Sequence, residues 1–237
     1  MTITPIRSVI KKIVMKIKRL LICISGLIFS QLVYGQSNDF GIWYGLNSNY
    51  SLIKKLDINL SVMIRTFNNA SEIEQAFLEG GVSYKFNKYF SVAGSYRLTD
   101  KLEDDSEFHI RHKWFADVKG TLPLENFSFS ARFRFQTQTR TYFENEADKI
   151  PDYHGRIKLK AYYNIPGFPV NPYLSVETFS PMFENSDRFI DKNRFTSGLE
   201  YKIVKKHSVE AEYIFQRDYL PHISDIHLIA INYSIKF

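Results

Sequence analysis

From Leu56 the chain reads LDINLSVMIRTF, and its apolar side chains fall on every second position. Leu56, Ile58, Leu60, Val62 and Ile64 alternate with Asp57, Asn59, Ser61 and Arg65. A period of two is the arithmetic of a β-strand with one apolar and one polar face. The pattern repeats in FSFSARFRFQTQTR, where Phe127, Phe129, Ala131, Phe133 and Phe135 oppose Ser128, Ser130, Arg132, Arg134 and Gln136. In HGRIKLKAYYNI, Ile157, Leu159, Ala161 and Tyr163 oppose Arg156, Lys158, Lys160 and Tyr162. The same reading predicts strands over 40–52, 76–86, 90–99, 108–120, 173–179, 195–204, 209–215 and 226–237, eleven segments in all. The last of them places Ile229, Ile231, Tyr233, Ile235 and Phe237 on one face, and the chain stops on that phenylalanine.

The connections support the same reading. After residue 35 the prolines, Pro123, Pro151, Pro166, Pro169, Pro172, Pro181 and Pro221, fall between these segments or at the start of one. A ladder has no place for a residue without an N–H. Short turns (IKK, NK, LPLEN, IPGFP, VKKH) alternate with longer polar links around 67–73, 100–106, 141–153, 180–192 and 218–225. Short and long connections therefore lie at opposite ends of one sheet. Eleven crossings would start the chain at the end opposite to where it finishes, whereas single-chain bacterial barrels have even strand counts. The expectation is therefore 12 strands, with 10 as the alternative and a hidden crossing in 40–52 as one way to reach the larger number.

A soluble sandwich or lipocalin also alternates, but its apolar half packs inward into one small core. Here the opposite face is crowded with charge: Arg111, Lys113, Arg132, Arg134, Arg156, Lys158, Lys160, Glu200, Glu210 and Glu212. Such a set fits a hydrated or ion-paired lumen, with the apolar face turned to lipid. Closure satisfies every backbone group without leaving an edge. The predicted fold is all-β, a single closed antiparallel up-and-down transmembrane β-barrel over residues 36–237, integral to a bacterial outer membrane.

Charge and composition sharpen this picture. Arg7, Lys11, Lys12, Lys16, Lys18 and Arg19 precede the apolar run LLICISGLIF, which reads as a secretory leader over residues 1–35. Val33 and Gly35 suit a signal peptidase, so cleavage is expected between Gly35 and Gln36. A membrane-spanning helix needs about 20 apolar residues, and this run has half that. Met15 could open a complete leader by itself, leaving residues 1–14 as an extended first region or a misplaced start. The net charge of +6 arises in this leader, because six of the 31 basic residues and none of the 25 acidic ones lie in it. The remainder is balanced, which removes the argument for nucleic-acid binding. Cys23, the single cysteine, also lies in the leader, so the remainder has neither disulfide nor thiolate metal site. Ile22 before it is not small, which argues against lipid attachment.

The terminal phenylalanine with apolar residues at alternate positions resembles the C-terminal signal of outer-membrane proteins, which implies recognition by the barrel-assembly machinery. The segments DFGIWYGLNSNYSLIKKLDINLSVMIRTF, GVSYKFNKYFSVAGSYR, IRHKWFADV and FTSGLEYKIVKKHSVEAEYIFQRD resemble the family called domain of unknown function 2490. That resemblance spans nearly all of the chain after the leader. It implies a small outer-membrane barrel of Bacteroidetes-type bacteria and carries no established activity.

Four features are candidates for chemistry. His109, Arg111 and Lys113, then Arg132, Arg134 and Arg140, then His154, Arg156, Lys158 and Lys160 put basic groups on the polar faces of three consecutive strands. Rings of basic groups favour anions in a pore. Pairing with Asp117, Glu79, Glu177, Glu200, Glu210 and Glu212 would instead stiffen a closed plug, and the balanced charge favours that pairing. The loop TDKLEDDSE carries Asp100, Glu103, Asp104, Asp105 and Glu107, without the ligand spacing of a known cation loop, and reads as a solvated external loop. His222-Ile-Ser224 has the spacing of a rim-active lipid hydrolase, yet the chain has no carboxylate after Asp225 to orient the histidine. His112 falls on the apolar face with Phe108, Ile110 and Trp114, where an imidazole is costly unless a bulge or an interfacial aromatic belt accommodates it. The expected role is structural or passive permeation, with no cofactor and no metal. A lipid hydrolase and an outward-loop interaction protein are the alternatives.

Overall fold

The structure, a computed structural model, describes residues 39–143, 149–183, 189–219 and 223–237. The leader, with its Gly35–Gln36 junction, and His222 lie outside the described residues. Eleven strands form the barrel: β1 (Asp39–Ile53), β2 (Leu56–Phe67), β3 (Glu72–Lys85), β4 (Phe90–Leu102), β5 (Phe108–Leu124), β6 (Phe127–Arg140), β7 (Asp152–Tyr163), β8 (Val170–Pro181), β9 (Lys192–Val204), β10 (His207–Asp218) and β11 (Ser224–Lys236). Each pairs antiparallel with its sequence neighbours, and β1 pairs with β11 to close the cylinder.

The closure corrects the expected count of 12 or 10 and the expectation of a wholly antiparallel sheet. β1 is one uninterrupted crossing, DFGIWYGLNSNYSLI, with no turn hidden in it. An odd number of up-and-down strands makes the first and last run the same way. They therefore pair in parallel, from Asp39 opposite Ile226 to Asn49 opposite Lys236. Parallel pairing satisfies the two free edges as fully as an even count would. The chain enters β1 at the long-loop end and leaves β11 at the short-turn end.

Local chemistry anchors that entry. The Asp39 carboxylate accepts hydrogen bonds from the backbone N–H groups of Phe40 (2.8 Å), Asn68 (3.2 Å) and Asn69 (3.0 Å). Asn68, Asn69 and Ala70 all have positive φ (51°, 56° and 62°). Asparagine tolerates that region, whereas Ala70 adopts it at a cost. Beside this turn, a Cβ on Gly41 would lie 2.3 Å from the carbonyl oxygen of Thr66. A bare α-carbon lets β1 approach β2 at Arg65/Thr66, where the pairing with β3 shifts register and Glu74 of β3 is the extra residue.

Several strands run further than the hydrophobic pattern alone indicates. β5 continues through Pro123, and β8 includes Pro172 and ends on Pro181. All three prolines sit near strand ends, where a missing donor is tolerated.

The two faces differ sharply. Trp114 (60%), Leu174 (63%), Phe127 (50%) and Leu60 (49%) stand on the outer surface, with apolar neighbours on every strand. Inside, charged and polar groups such as Arg111, Arg134, Glu177, Thr99 and Asn171 are buried. A minority of lumen positions are aromatic or aliphatic: Trp43, Phe77, Phe115, Tyr173, Phe179, Ile214 and Leu228.

Candidate functional site

The lumen is the site, and its middle is built from arginines threaded between rings. The Arg65 guanidinium lies 3.9 Å from the Trp43 ring centre and 5.1 Å from that of Phe77. Arg97 sits 3.8 Å from Phe77 and 5.0 Å from Phe115, and Arg134 sits 4.4 Å from Phe115. Arg134 and Arg156 are opposite one another on β6 and β7. Arg156 lies 4.2 Å from Phe179, Arg194 lies 5.1 Å from the same ring, and Arg194 reaches Trp43 at 4.9 Å. The last contact spans from β9 to β1, over Ile214, Leu228 and Ala230, and closes the circuit.

This belt arises from the alternation itself. Strand neighbours on one face lie about 5 Å apart, and diagonal neighbours remain within reach of long side chains. An aromatic residue in the polar register therefore meets an arginine from the adjacent strand. Desolvated cation–π contacts contribute about 2 kcal/mol each.

Carboxylates neutralise part of the belt. Glu79 accepts from Arg97 Nε (2.7 Å), and Asp117 takes Arg134 in a bidentate pair (2.6 and 2.6 Å). Glu177, 2% exposed, accepts from Arg132 (2.7 Å) and Arg156 (2.8 Å), and Arg194 approaches within 4.0 Å. Among the described residues no carboxylate lies within ion-pair distance of Arg65, whose Nε instead faces Met63 Sδ at 3.4 Å.

The other expected lumen residues separate into groups. Arg111 is clasped by Glu103 of the β4–β5 loop (2.5 and 2.5 Å). Lys113, Lys158 and Lys160 face inward with no carboxylate within ion-pair distance among the described residues, and Lys160 Nζ rests 3.5 Å from the Tyr173 ring centre. Among the described residues, Glu200, Glu210 and Glu212 have no arginine within ion-pair distance. Tyr162 donates to Glu200 (2.5 Å), and the Tyr173 hydroxyl lies 2.9 Å from Glu210 and 2.5 Å from Glu212. The terminal set, Ile229, Ile231, Tyr233, Ile235 and Phe237, lines the outer face of β11 and its end, and the Phe237 N–H donates to the Asn49 carbonyl (2.9 Å).

The remaining candidates resolve individually. In the acidic loop, Asp105 binds the His109 ring (2.7 Å) and accepts from the Glu107 N–H (3.0 Å). These bonds hold the Asp105 carboxyl below the usual carboxylate range, the His109 contact contributing most. His112 does face outward, and no bulge is needed: its Nδ1 shares a 2.6 Å hydrogen bond with the Tyr96 hydroxyl, which projects beside it. Tyr213–His227 and Tyr233–His207 repeat the arrangement at 2.7 Å. Ser224 begins β11 opposite Asp218.

Sequence reasoning placed Tyr162 on the polar face but missed the lumen phenylalanines Phe77, Phe115 and Phe179, because it assigned the aromatic face to lipid. Parity was the available signal: Phe77 shares its register with Gln75 and Glu79, Phe115 with Lys113 and Asp117, and Phe179 with Glu177.

Two lumen cavities flank the belt and share no lining residue. One of about 390 Å³ lies toward the long loops and includes Glu74, Lys101 and Asp218, and one of about 380 Å³ lies toward the short turns and includes Lys85, Lys119 and Lys158. The belt thus stands between two vestibules of the lumen.

A closed barrel with a charged interior and an apolar exterior far beyond the few hundred Å² a soluble monomer exposes has the architecture of outer-membrane β-barrels. Two solved structures are similar in fold. The β domain of the Bordetella autotransporter BrkA matches with a TM-score of 0.50 at 12% identity, over 76% of this chain and 82% of that one. The NanC porin matches with a TM-score of 0.50 at 12% identity, over 75% of this chain and 86% of that one. No curated protein sequence matches. Residues 40–227 match the family described as protein of unknown function (DUF2490), and the chain belongs to that family.

Proposed function

We propose that this protein is an integral outer-membrane barrel that serves passive permeation, its constricted lumen favouring small anions. In this orientation the short turns and Phe237 face the periplasm and the long loops face outward. Membrane lipid covers the apolar exterior, and the barrel-assembly machinery inserts the chain by its last strand.

The observation that carries the reading is the charge of the constriction. Arg65, Arg97, Arg134, Arg156 and Arg194 ring the middle of the lumen, while Glu79, Asp117 and Glu177 are the carboxylates paired with them. Cations in excess at a narrow, low-dielectric passage attract anions and repel cations. The bidentate Arg134–Asp117 pair and the shared Glu177 favour a second reading, a sealed structural barrel.

Planar bilayers separate the two. Purified, folded protein is expected to give small conductance steps whose reversal potential in a potassium chloride gradient shifts toward that of chloride. Trp43→Ala, which removes the ring between Arg65 and Arg194, is expected to enlarge the steps. Folded protein that gives no steps in either form would establish the sealed barrel, and cation preference would overturn the reading of the belt.

A further inference from the structure

The vestibule on the short-turn side contains an unusual row. Lys119 on β5 stands directly opposite Arg132 on β6, and Arg132 stands directly opposite Lys158 on β7. Like charges directly opposite across a ladder are destabilising. Lys160 lies two residues further along β7 on the same face, opposite Ser130.

The carboxylates nearby are already engaged. Asp117 is bidentate to Arg134, and Glu177 is shared by Arg132 and Arg156. Among the described residues, none lies within ion-pair distance of Lys119, Lys158 or Lys160. The acidic groups Glu200, Glu210 and Glu212 lie on β9 and β10 and are engaged by the hydroxyls of Tyr162 and Tyr173, whose rings stack 6.5 Å apart. Arg132 is held by Glu177, which on β8 also stands directly opposite Lys158, but the ammonium groups of Lys119, Lys158 and Lys160 face a cavity of about 380 Å³ with no carboxylate within ion-pair distance among the described residues, and Ser83, Ser91 and Ser130 line the same space.

We propose that this vestibule is a binding site for a small soluble oxyanion carrying at least two phosphate or carboxylate groups. Adjacent strands are about 4.8 Å apart, so the row from Lys119 to Lys158 spans about 10 Å. That length suits two anionic groups on one molecule better than a single ion. The serines supply neutral hydrogen bonds to the remaining oxygens. The volume lies at the lower end of the range of about 300–1,000 Å³ typical of small-molecule sites. The barrel wall separates the row from hydrocarbon, so the ligand is a solute and not a lipid headgroup. The site is independent of whether the constriction conducts, because the vestibule lies on one side of it.

The test is calorimetric titration of the folded barrel in a non-ionic detergent with pyrophosphate, with citrate and with glucose as the neutral control. Saturable binding of pyrophosphate or citrate, weakened by added salt, is expected, and which of the two binds identifies the anionic group. Lys119→Gln and Lys158→Gln are each expected to weaken it about tenfold, whereas Lys54→Gln in an exposed turn leaves it unchanged. A structural role would move a different readout. If the lysines held the barrel together, their replacement would lower its thermal midpoint, but relief of the opposition between Lys119 and Arg132 is expected to preserve or raise the midpoint of Lys119→Gln in ligand-free protein. The proposal is overturned if neither oxyanion binds, or if binding survives the Lys119→Gln/Lys158→Gln double substitution in folded protein.

Discussion

The Tyr173 ring lies against the α-carbon of Gly198, the residue directly opposite on β9, and a Cβ there would stand 2.4 Å from Cζ of the ring. The missing side chain is what lets Tyr173 lie flat, 4% exposed, with its hydroxyl between Glu210 and Glu212. Gly198→Ala is expected to displace the ring and destabilise the barrel by about 1–3 kcal/mol, the usual cost of overpacking. Urea unfolding in lipid vesicles measures the loss. Tyr173→Phe, which keeps the ring and loses the hydroxyl, provides the comparison.

Glu177 is the point at which three arginines converge. Replacing it by Gln leaves the half-buried Arg156 and Arg132 without their counterion, and breaking a fully buried pair costs about 3–5 kcal/mol, which sets the upper bound. The same change raises the positive charge of the constriction. Glu177→Gln is therefore expected to lower the unfolding midpoint and, in protein that still folds, to increase preference for chloride in bilayers. A midpoint equal to that of the native barrel would refute the hub.

Parallel closure can be tested covalently. Leu46 on β1 and Tyr233 on β11 are opposite one another on the outer face. Cysteines at both sites are expected to form a disulfide on mild oxidation, because neighbouring strand positions fall within the 4.4–6.8 Å between α-carbons that a disulfide requires. The chain's own cysteine, Cys23, lies in the expected leader and does not interfere once that is removed. Gel mobility with and without reductant reports the bond. A barrel with an additional strand between β1 and β11 would give none.

The pairing of Asp105 with His109 has a defined pH dependence. Its carboxyl lies below the ordinary carboxylate range because of the His109 hydrogen bond, followed by the Glu107 N–H. A depressed folded value means that the stabilisation is fully present above the unfolded value, about 3.9, and is lost as pH falls through the folded one. The loop between β4 and β5 is therefore expected to loosen only in acid. Carboxyl carbon shifts in nuclear magnetic resonance should place the Asp105 midpoint below that of exposed aspartates, and His109→Phe should move it upward.

Phe237 contributes a hydrogen bond to the closing seam and a ring on the outer face. Its deletion is expected to reduce insertion into the outer membrane more than it reduces stability of the barrel refolded in detergent. The amount of heat-modifiable protein in membrane fractions measures the first, and unfolding in detergent the second. Unchanged membrane levels would remove the terminal ring as an assembly signal.

Alternation along LDINLSVMIRTF or FSFSARFRFQTQTR determines, without any tertiary information, that these segments are strands and which side chains share a face, because a strand's period of two is a local property of its backbone. The long and short connections, the outward set ending in Phe237 and the inward basic residues were legible for the same reason. Only the closed sheet decided that β1 is a single crossing joined in parallel to β11, since closure depends on which edges meet and not on any one segment. Only cross-strand register brought Arg65 onto Trp43, gave Glu177 its arginines and left Lys119, Arg132 and Lys158 side by side. Those contacts join residues far apart in the chain, and their partners become neighbours only when the hydrogen-bond ladders bring the strands together.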